Sequence, residues 1–147
     1  MSKLSSLIVL INSLSKSERK KVSTTFNVNE NNADYIHLYT IISKSQDSTP
    51  EKIKELFLKT HQETTFNTSI NHLFENILFA LTQLRTNQDS YYSLFTILMH
   101  ARVLHEKAIY HECFQLLSKV QSEAIRLENF SILLIAQKME LDYLLSL

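Results

Sequence analysis

The sequence predicts an all-α protein of about eight helices, and three observations predict it. The 147 residues contain no glycine and one proline, where average usage would place roughly ten glycines in a chain of this length. Ser, Thr or Asp stands ahead of one apolar-periodic segment after another, as helix caps do. Apolar residues then recur at the 3–4 spacing of a single helix face. The missing glycine also excludes function classes. The P-loop, the dinucleotide fingerprint, the nucleophile elbow and the EF-hand loop all require it, as do tight Asn-Gly or Asp-Gly hairpins.

Ser2 is placed to cap a first helix that carries Leu4, Leu7, Ile8, Ile11 and Leu14 on one face. Ser15 and Glu18 form an S-x-x-E capping box, in which each side chain satisfies an orphan backbone donor. A second helix therefore begins near Ser15 and turns Val22 and Phe26 inward, although Ser23-Thr24-Thr25 have poor helix propensity. Asn27 through Asn32 reads as a loop, polar and aperiodic. A third helix follows, with Tyr35, Leu38, Tyr39 and Ile42 at helical spacing.

Thr49-Pro50-Glu51 is the clearest helix start in the chain. Thr is an N-cap, Pro occupies the first helical position where its missing N–H costs nothing, and Glu complements the positive end of the helix. The helix it opens buries Ile53, Leu56 and Phe57. Thr65 or Thr68 is the expected cap of a long helix reaching about Arg85, with Ile70, Leu73, Phe74, Ile77, Leu78, Leu81 and Leu84 on one broad face and Phe79 roughly opposite.

Asn87-Gln88-Asp89 is the next break, with Asp89 as a cap. Three helices are expected beyond it, at about 90–107, 109–128 and 129–146. The middle one is amphipathic, with Tyr110, Cys113, Phe114, Leu116, Leu117, Val120, Ala124, Ile125 and Leu127 on its apolar half. The flanking two are apolar nearly all round, so they need partners on more than one side.

The last third also carries a repeat. Ala101 and Ala136 share an offset with Leu98 and Leu133 and with Leu104 and Met139. Between them, Ala108-Ile109-Tyr110-His111-Glu112-Cys113-Phe114 resembles the Gly-Asp-Tyr-x-Glu-Ala turn of tetratricopeptide repeats. The resemblance makes Tyr110 the turn tyrosine, Cys113 and Ala101 the small packing residues of the two helices, and Ala108 the occupant of the family's usual glycine position. About one and a half repeats fit, from 91 to 146.

A second resemblance covers more of the chain. Leu4-x-x-Leu7-Ile8, then Ser13-Leu14-Ser15-Lys16-Ser17-Glu18-Arg19-Lys20, Tyr35-Ile36-His37-Leu38-Tyr39 and Asn71-His72-Leu73-Phe74-Glu75-Asn76-Ile77-Leu78 are similar to successive segments of a family of uncharacterised bacterial helical proteins, chiefly from Bacteroidetes. Tetratricopeptide-like helices follow in those proteins, which are usually several times longer. The resemblance implies an N-terminal fragment or a shortened relative, and it brings architecture without an activity.

Composition narrows the function further. The chain is formally neutral, with 15 Lys+Arg against 15 Asp+Glu, and is 44% hydrophobic. Neutrality argues against a general nucleic-acid or membrane-surface protein. One cysteine cannot form an internal disulfide and suits a reducing compartment. No apolar run approaches the length of a membrane span, and Leu7-Ile8-Val9-Leu10-Ile11 is too short for a signal peptide core. A cytoplasmic location is therefore expected.

Individual residues suggest little chemistry. Among His105, His111, Glu112 and Cys113, the second and last point about 200° apart on a helix and cannot share an ion. His72 and Glu75 form an ordinary solvated i,i+3 pair. Cys113 lies on an apolar face with no basic neighbour to activate it. No catalytic residue, metal or cofactor is expected.

What remains is surface. The basic run Lys16, Arg19, Lys20 and Lys21 is the one candidate nucleic-acid contact, without the Arg, Asn and Gln density of a reading helix. Phe79, Ile132, Ile135, Met139 and Tyr143 are the candidate partner-binding residues. A helical array normally ends in a polar-faced cap, whereas Leu144-Leu145-Ser146-Leu147 is apolar. That pattern implies either further chain or coverage by another copy.

The sequence thus reads as an N-terminal helical region (residues 1–86) followed by a tetratricopeptide-like hairpin with one extra helix (residues 87–147). The expected function is a non-catalytic protein-interaction scaffold of helical-repeat type that binds a protein or peptide and forms a homodimer. The alternative is a bacterial DNA-binding regulator with a basic helix-turn-helix-like N-terminus and a helical dimerisation region.

Overall fold

The structure, a computed structural model, describes residues 2–28, 34–45 and 47–147. Among these it is all-helical, with eight helices and no strand. In chain order they are α1 (Lys3–Ser13), α2 (Lys16–Val28), α3 (Asp34–Lys44), α4 (Pro50–Leu58), α5 (Glu63–Thr86), α6 (Ser90–Glu106), α7 (Tyr110–Arg126) and α8 (Phe130–Leu145). Two compact units divide the chain at Leu84 and Arg85.

Local chemistry sets most helix starts. The Ser2 hydroxyl accepts from the Ser5 N–H at 3.2 Å. The capping box is reciprocal: Ser15 N–H donates to Glu18 Oε2 at 2.8 Å, and Glu18 N–H donates to Ser15 Oγ at 3.3 Å. Thr49 Oγ1 accepts from Lys52 N–H with Pro50 at the first helical position, and Asp89 Oδ1 accepts from Tyr91 N–H at 2.8 Å. Residues 27 and 28, expected to open a loop over 27–32, continue α2 instead. Residues 29–32 lie outside the described residues.

One expected start is corrected. Neither Thr65 nor Thr68 caps α5, which begins at Glu63. The Thr65 N–H already donates to the Gln62 carbonyl at 3.1 Å, inside the first turn. Glu63 accepts a 2.7 Å hydrogen bond from Lys54 Nζ, which holds its carboxyl below the ordinary range. A carboxylate in the first turn also complements the helix dipole. The earlier start brings Phe66 into the core, where its ring meets Phe57 at 5.3 Å.

In the first unit, α1 packs on α3 and α4, and α3 on α4. The core joins Leu4, Leu7, Ile11 and Leu14 to Val22 and Phe26, Leu38 and Ile42, Ile53 and Phe57, and the α5 stripe Phe66, Ile70, Leu73, Ile77 and Ala80. Phe26 sits edge-on to Tyr35 and Tyr39, at 5.5 and 5.2 Å. Leu78 is exposed, against expectation. It lies about 120° round the helix from the centre of that stripe.

In the second unit, α7 packs against both α6 and α8. Its buried stripe is Cys113, Leu117, Val120 and Ala124. Leu94, Leu98 and Ala101 meet it from α6, and Ile132 and Ala136 from α8. Four of these nine buried residues (Ala101, Cys113, Ala124 and Ala136) are small, which lets the backbones approach closely. Tyr110, Ile125 and Leu127 are exposed rather than on the apolar half. Tyr110 and Leu127 stand at the two ends of α7, and Ile125 points about 110° from the stripe.

The two turns of this unit are built alike. Lys107 and Leu127 have φ/ψ of −92°/6° and −92°/4°. Ala108 and Glu128 follow in the left-handed region at φ 59° and 53°. Ile109 N–H then donates to the Leu104 carbonyl at 2.9 Å, and Asn129 N–H to the Ala124 carbonyl at 2.8 Å. Both are Schellman turns, closed here without glycine.

Candidate functional site

The surface of α8 follows from how α7 grips it. Ile132 and Ala136 are fully buried, and Leu133, Met139 and Tyr143 pack partly against the same core. Gln121 Nε2 donates to Glu140 Oε2 at 2.8 Å, tying α7 to α8. His105 stacks on Tyr143 with ring centroids 3.9 Å apart and planes 12° apart. Burial pushes the Tyr143 hydroxyl above its ordinary pKa, as desolvation of the phenolate requires.

With that face fixed, the opposite one is determined. At about 100° per residue, Phe130, Leu134, Leu141 and Leu145 fall within about 60° of one another and about 180° from the buried face. They are exposed by 66%, 68%, 56% and 79%. Leu144 flanks them and is exposed as well. On the polar flank, Lys138 pairs with Asp142 at 2.8 Å. The result is an apolar stripe along α8 with a charged border.

The expected partner-binding residues divide. Phe79 is exposed on α5 and Ile135 on α8. Ile132 is a correction: it is fully buried against α7 and cannot meet a partner. Met139 and Tyr143 also turn toward the core and show only an edge. The stripe Phe130, Leu134, Leu141 and Leu145 escaped the sequence reading because α8 is apolar all round, so its pattern marks no inner side. The available signal was Ala136. A small residue in register with Ala101 marks the close-packed face, and Leu134 and Leu141 then point away.

The basic run divides too. The Arg19 guanidinium donates through Nη2 to the Ile11 carbonyl at 2.8 Å and through Nε to the Leu14 carbonyl at 3.2 Å. It caps the end of α1 with two of its five N–H donors, so part of its fork serves the fold. Lys16 and Lys20 are exposed and Lys21 is half-buried.

Cys113 is fully buried in the same core as Ala101, and burial raises its thiol pKa. His111 pairs with Gln115 on its own helix at 3.0 Å. Among the described residues, no group of three or more His, Cys, Asp or Glu is placed to hold a metal ion, and no helix is long and apolar enough to cross a membrane. No family model, curated protein sequence or solved structure matches the chain.

Proposed function

We propose that this chain is a non-catalytic protein-interaction module of helical-repeat type that pairs with a second copy of itself through α8. The observation that carries the reading is the outward stripe Phe130, Leu134, Leu141 and Leu145. Large apolar side chains lined up and exposed along one helix face are the kind of surface that interfaces cover.

The spacing of the stripe selects the occupant. Its steps of four, seven and four residues read the same in both directions. An antiparallel copy of α8 related by a two-fold axis near Gln137 and Lys138 therefore sets Phe130 against Leu145 and Leu134 against Leu141. Self-complementary patches of this form are what closed two-fold dimers use. The tetratricopeptide-like reading of the second unit is supported by the buried small residues Ala101 and Cys113 and by the paired Schellman turns. The DNA-binding alternative has less support, because Arg19 is engaged within its own unit.

Sedimentation equilibrium tests the reading. The chain is expected to dimerise at roughly tens of micromolar, and Leu134→Glu or Leu141→Glu to give a monomer with unchanged helicity. A wild-type monomer at that concentration overturns it. Binding of arbitrary duplex DNA that falls steeply with salt would favour the regulator instead.

A further inference from the structure

The fully buried residues of α8, Ile132 and Ala136, both lie in its first half. Beyond them Met139, Glu140 and Tyr143 are half-buried, and Leu141, Leu144 and Leu145 are exposed. The outward stripe is therefore held unevenly. Phe130 and Leu134 flank the buried anchors, whereas Leu141 and Leu145 stand past them. A helix end frays where tertiary contacts do not hold it. The last turn here, Asp142-Tyr143-Leu144-Leu145, also lacks a basic residue to complement the dipole.

The hold on this end comes from α6. His105 lies in the last turn of α6, and its carbonyl accepts from the Ala108 N–H at 2.9 Å, so the Schellman turn fixes its backbone. Its ring lies flat on Tyr143, with centroids 3.9 Å apart, and meets the Tyr110 ring at 5.5 Å. Ser146 caps α8. Its hydroxyl donates to the Tyr143 carbonyl at 2.9 Å, which leaves the oxygen to accept from His105 Nε2 at 3.3 Å. One imidazole thus touches both the last core residue of α8 and its cap. Tyr143 points about 160–200° away from Leu141 and Leu145, so these contacts leave the stripe uncovered.

We propose that His105 is the positioning residue of the α8 docking surface. By clasping Tyr143 and Ser146 it keeps the last two turns of α8 helical, and so keeps Leu141 and Leu145 in line with Phe130 and Leu134 for a second copy of the chain. The inference rests on pairing through α8. Antiparallel pairing sets Phe130 against Leu145 and Leu134 against Leu141, so the contact needs both halves of the stripe. By two-fold symmetry a frayed end empties both ends of the interface at once. A surface formed only part of the time binds with its affinity reduced by that fraction, and each copy contributes the factor.

Backbone chemical shifts and sedimentation equilibrium together test this. In the Leu134→Glu background, residues 141–145 should keep helical shifts, and His105→Ala should move them toward coil while residues 130–136 stay helical. With Leu134 in place, a formed fraction of about one third in each copy raises the dissociation constant about tenfold, the expected effect of His105→Ala. His105→Phe keeps the stacked ring and should restore most of the loss. Helical shifts through residue 145 in His105→Ala overturn the clasp. Frayed shifts with unchanged self-association overturn its link to docking. A monomeric wild type overturns the pairing itself, and the shifts then still judge the clasp. If His105→Ala fails to fold, Ser146→Ala at the exposed cap should still weaken self-association about threefold, and an unchanged dissociation constant overturns the proposal.

Discussion

Ala108 and Glu128 hold the same left-handed backbone conformation, at φ 59° and 53°, at the same position of two consecutive helix turns. Each follows a residue near φ −92° and precedes one whose N–H closes the turn onto a carbonyl of the preceding helix. For a residue with a Cβ this conformation costs ~1–2 kcal/mol. Ala108→Gly and Glu128→Gly are therefore expected to stabilise the second unit by ~1 kcal/mol each, after the greater entropy of glycine in the unfolded chain is subtracted. Urea denaturation measures this, and a loss of stability in both variants would contradict the turn assignment.

Ile132 and Leu134 are two positions apart on α8 and should respond in opposite ways. Ile132→Ala removes a fully buried side chain and leaves a cavity, with an expected loss of ~2–5 kcal/mol. Leu134→Ala removes an exposed side chain and should change monomer stability by no more than ~0.5 kcal/mol, while weakening self-association. Denaturation at low protein concentration, paired with sedimentation, separates the two effects.

Cys113 and Tyr143 predict an alkaline limit to stability. Burial raises the pKa of both in the folded chain, so the unfolded chain gives up these protons first as pH rises. Their contribution is whole below about pH 8.5 and declines above it. Cys113→Ala and Tyr143→Phe should each flatten the alkaline limb of a stability–pH profile. In the native protein Cys113 should resist a thiol reagent that labels it rapidly in denaturant, and Cys113→Arg should prevent folding of this unit by burying an unpaired charge.

Arg19 ends one helix from the first turn of the next. Removal of its two hydrogen bonds to the Ile11 and Leu14 carbonyls by Arg19→Ala should cost ~1–2 kcal/mol. Lysine cannot reproduce the paired N–H geometry, so Arg19→Lys should restore less than half of that loss. Thermal unfolding of the three chains is the measurement.

The helices were legible in the sequence because what starts and stops them is local. Ser2, Ser15 with Glu18, Thr49 with Pro50, and Asp89 each act within one turn, and a side chain that reaches only three or four residues can be read from three or four residues. The start of α5 is the exception. Its first-turn Glu63 is matched by Lys54, on the preceding helix, and Thr65 looked like a cap only without that neighbour.

The candidate surface belongs to tertiary structure. A helix as apolar as α8 carries no internal record of which side faces in. That choice falls to α7, whose Cys113 and Ala124 admit the backbone of a neighbour closely enough to bury Ile132 and Ala136 and leave Phe130, Leu134, Leu141 and Leu145 outside. Sequence by itself determined where the chain is helical, because capping is short-ranged; the fold decided which atoms meet and which face is left uncovered, because burial depends on partners distant along the chain.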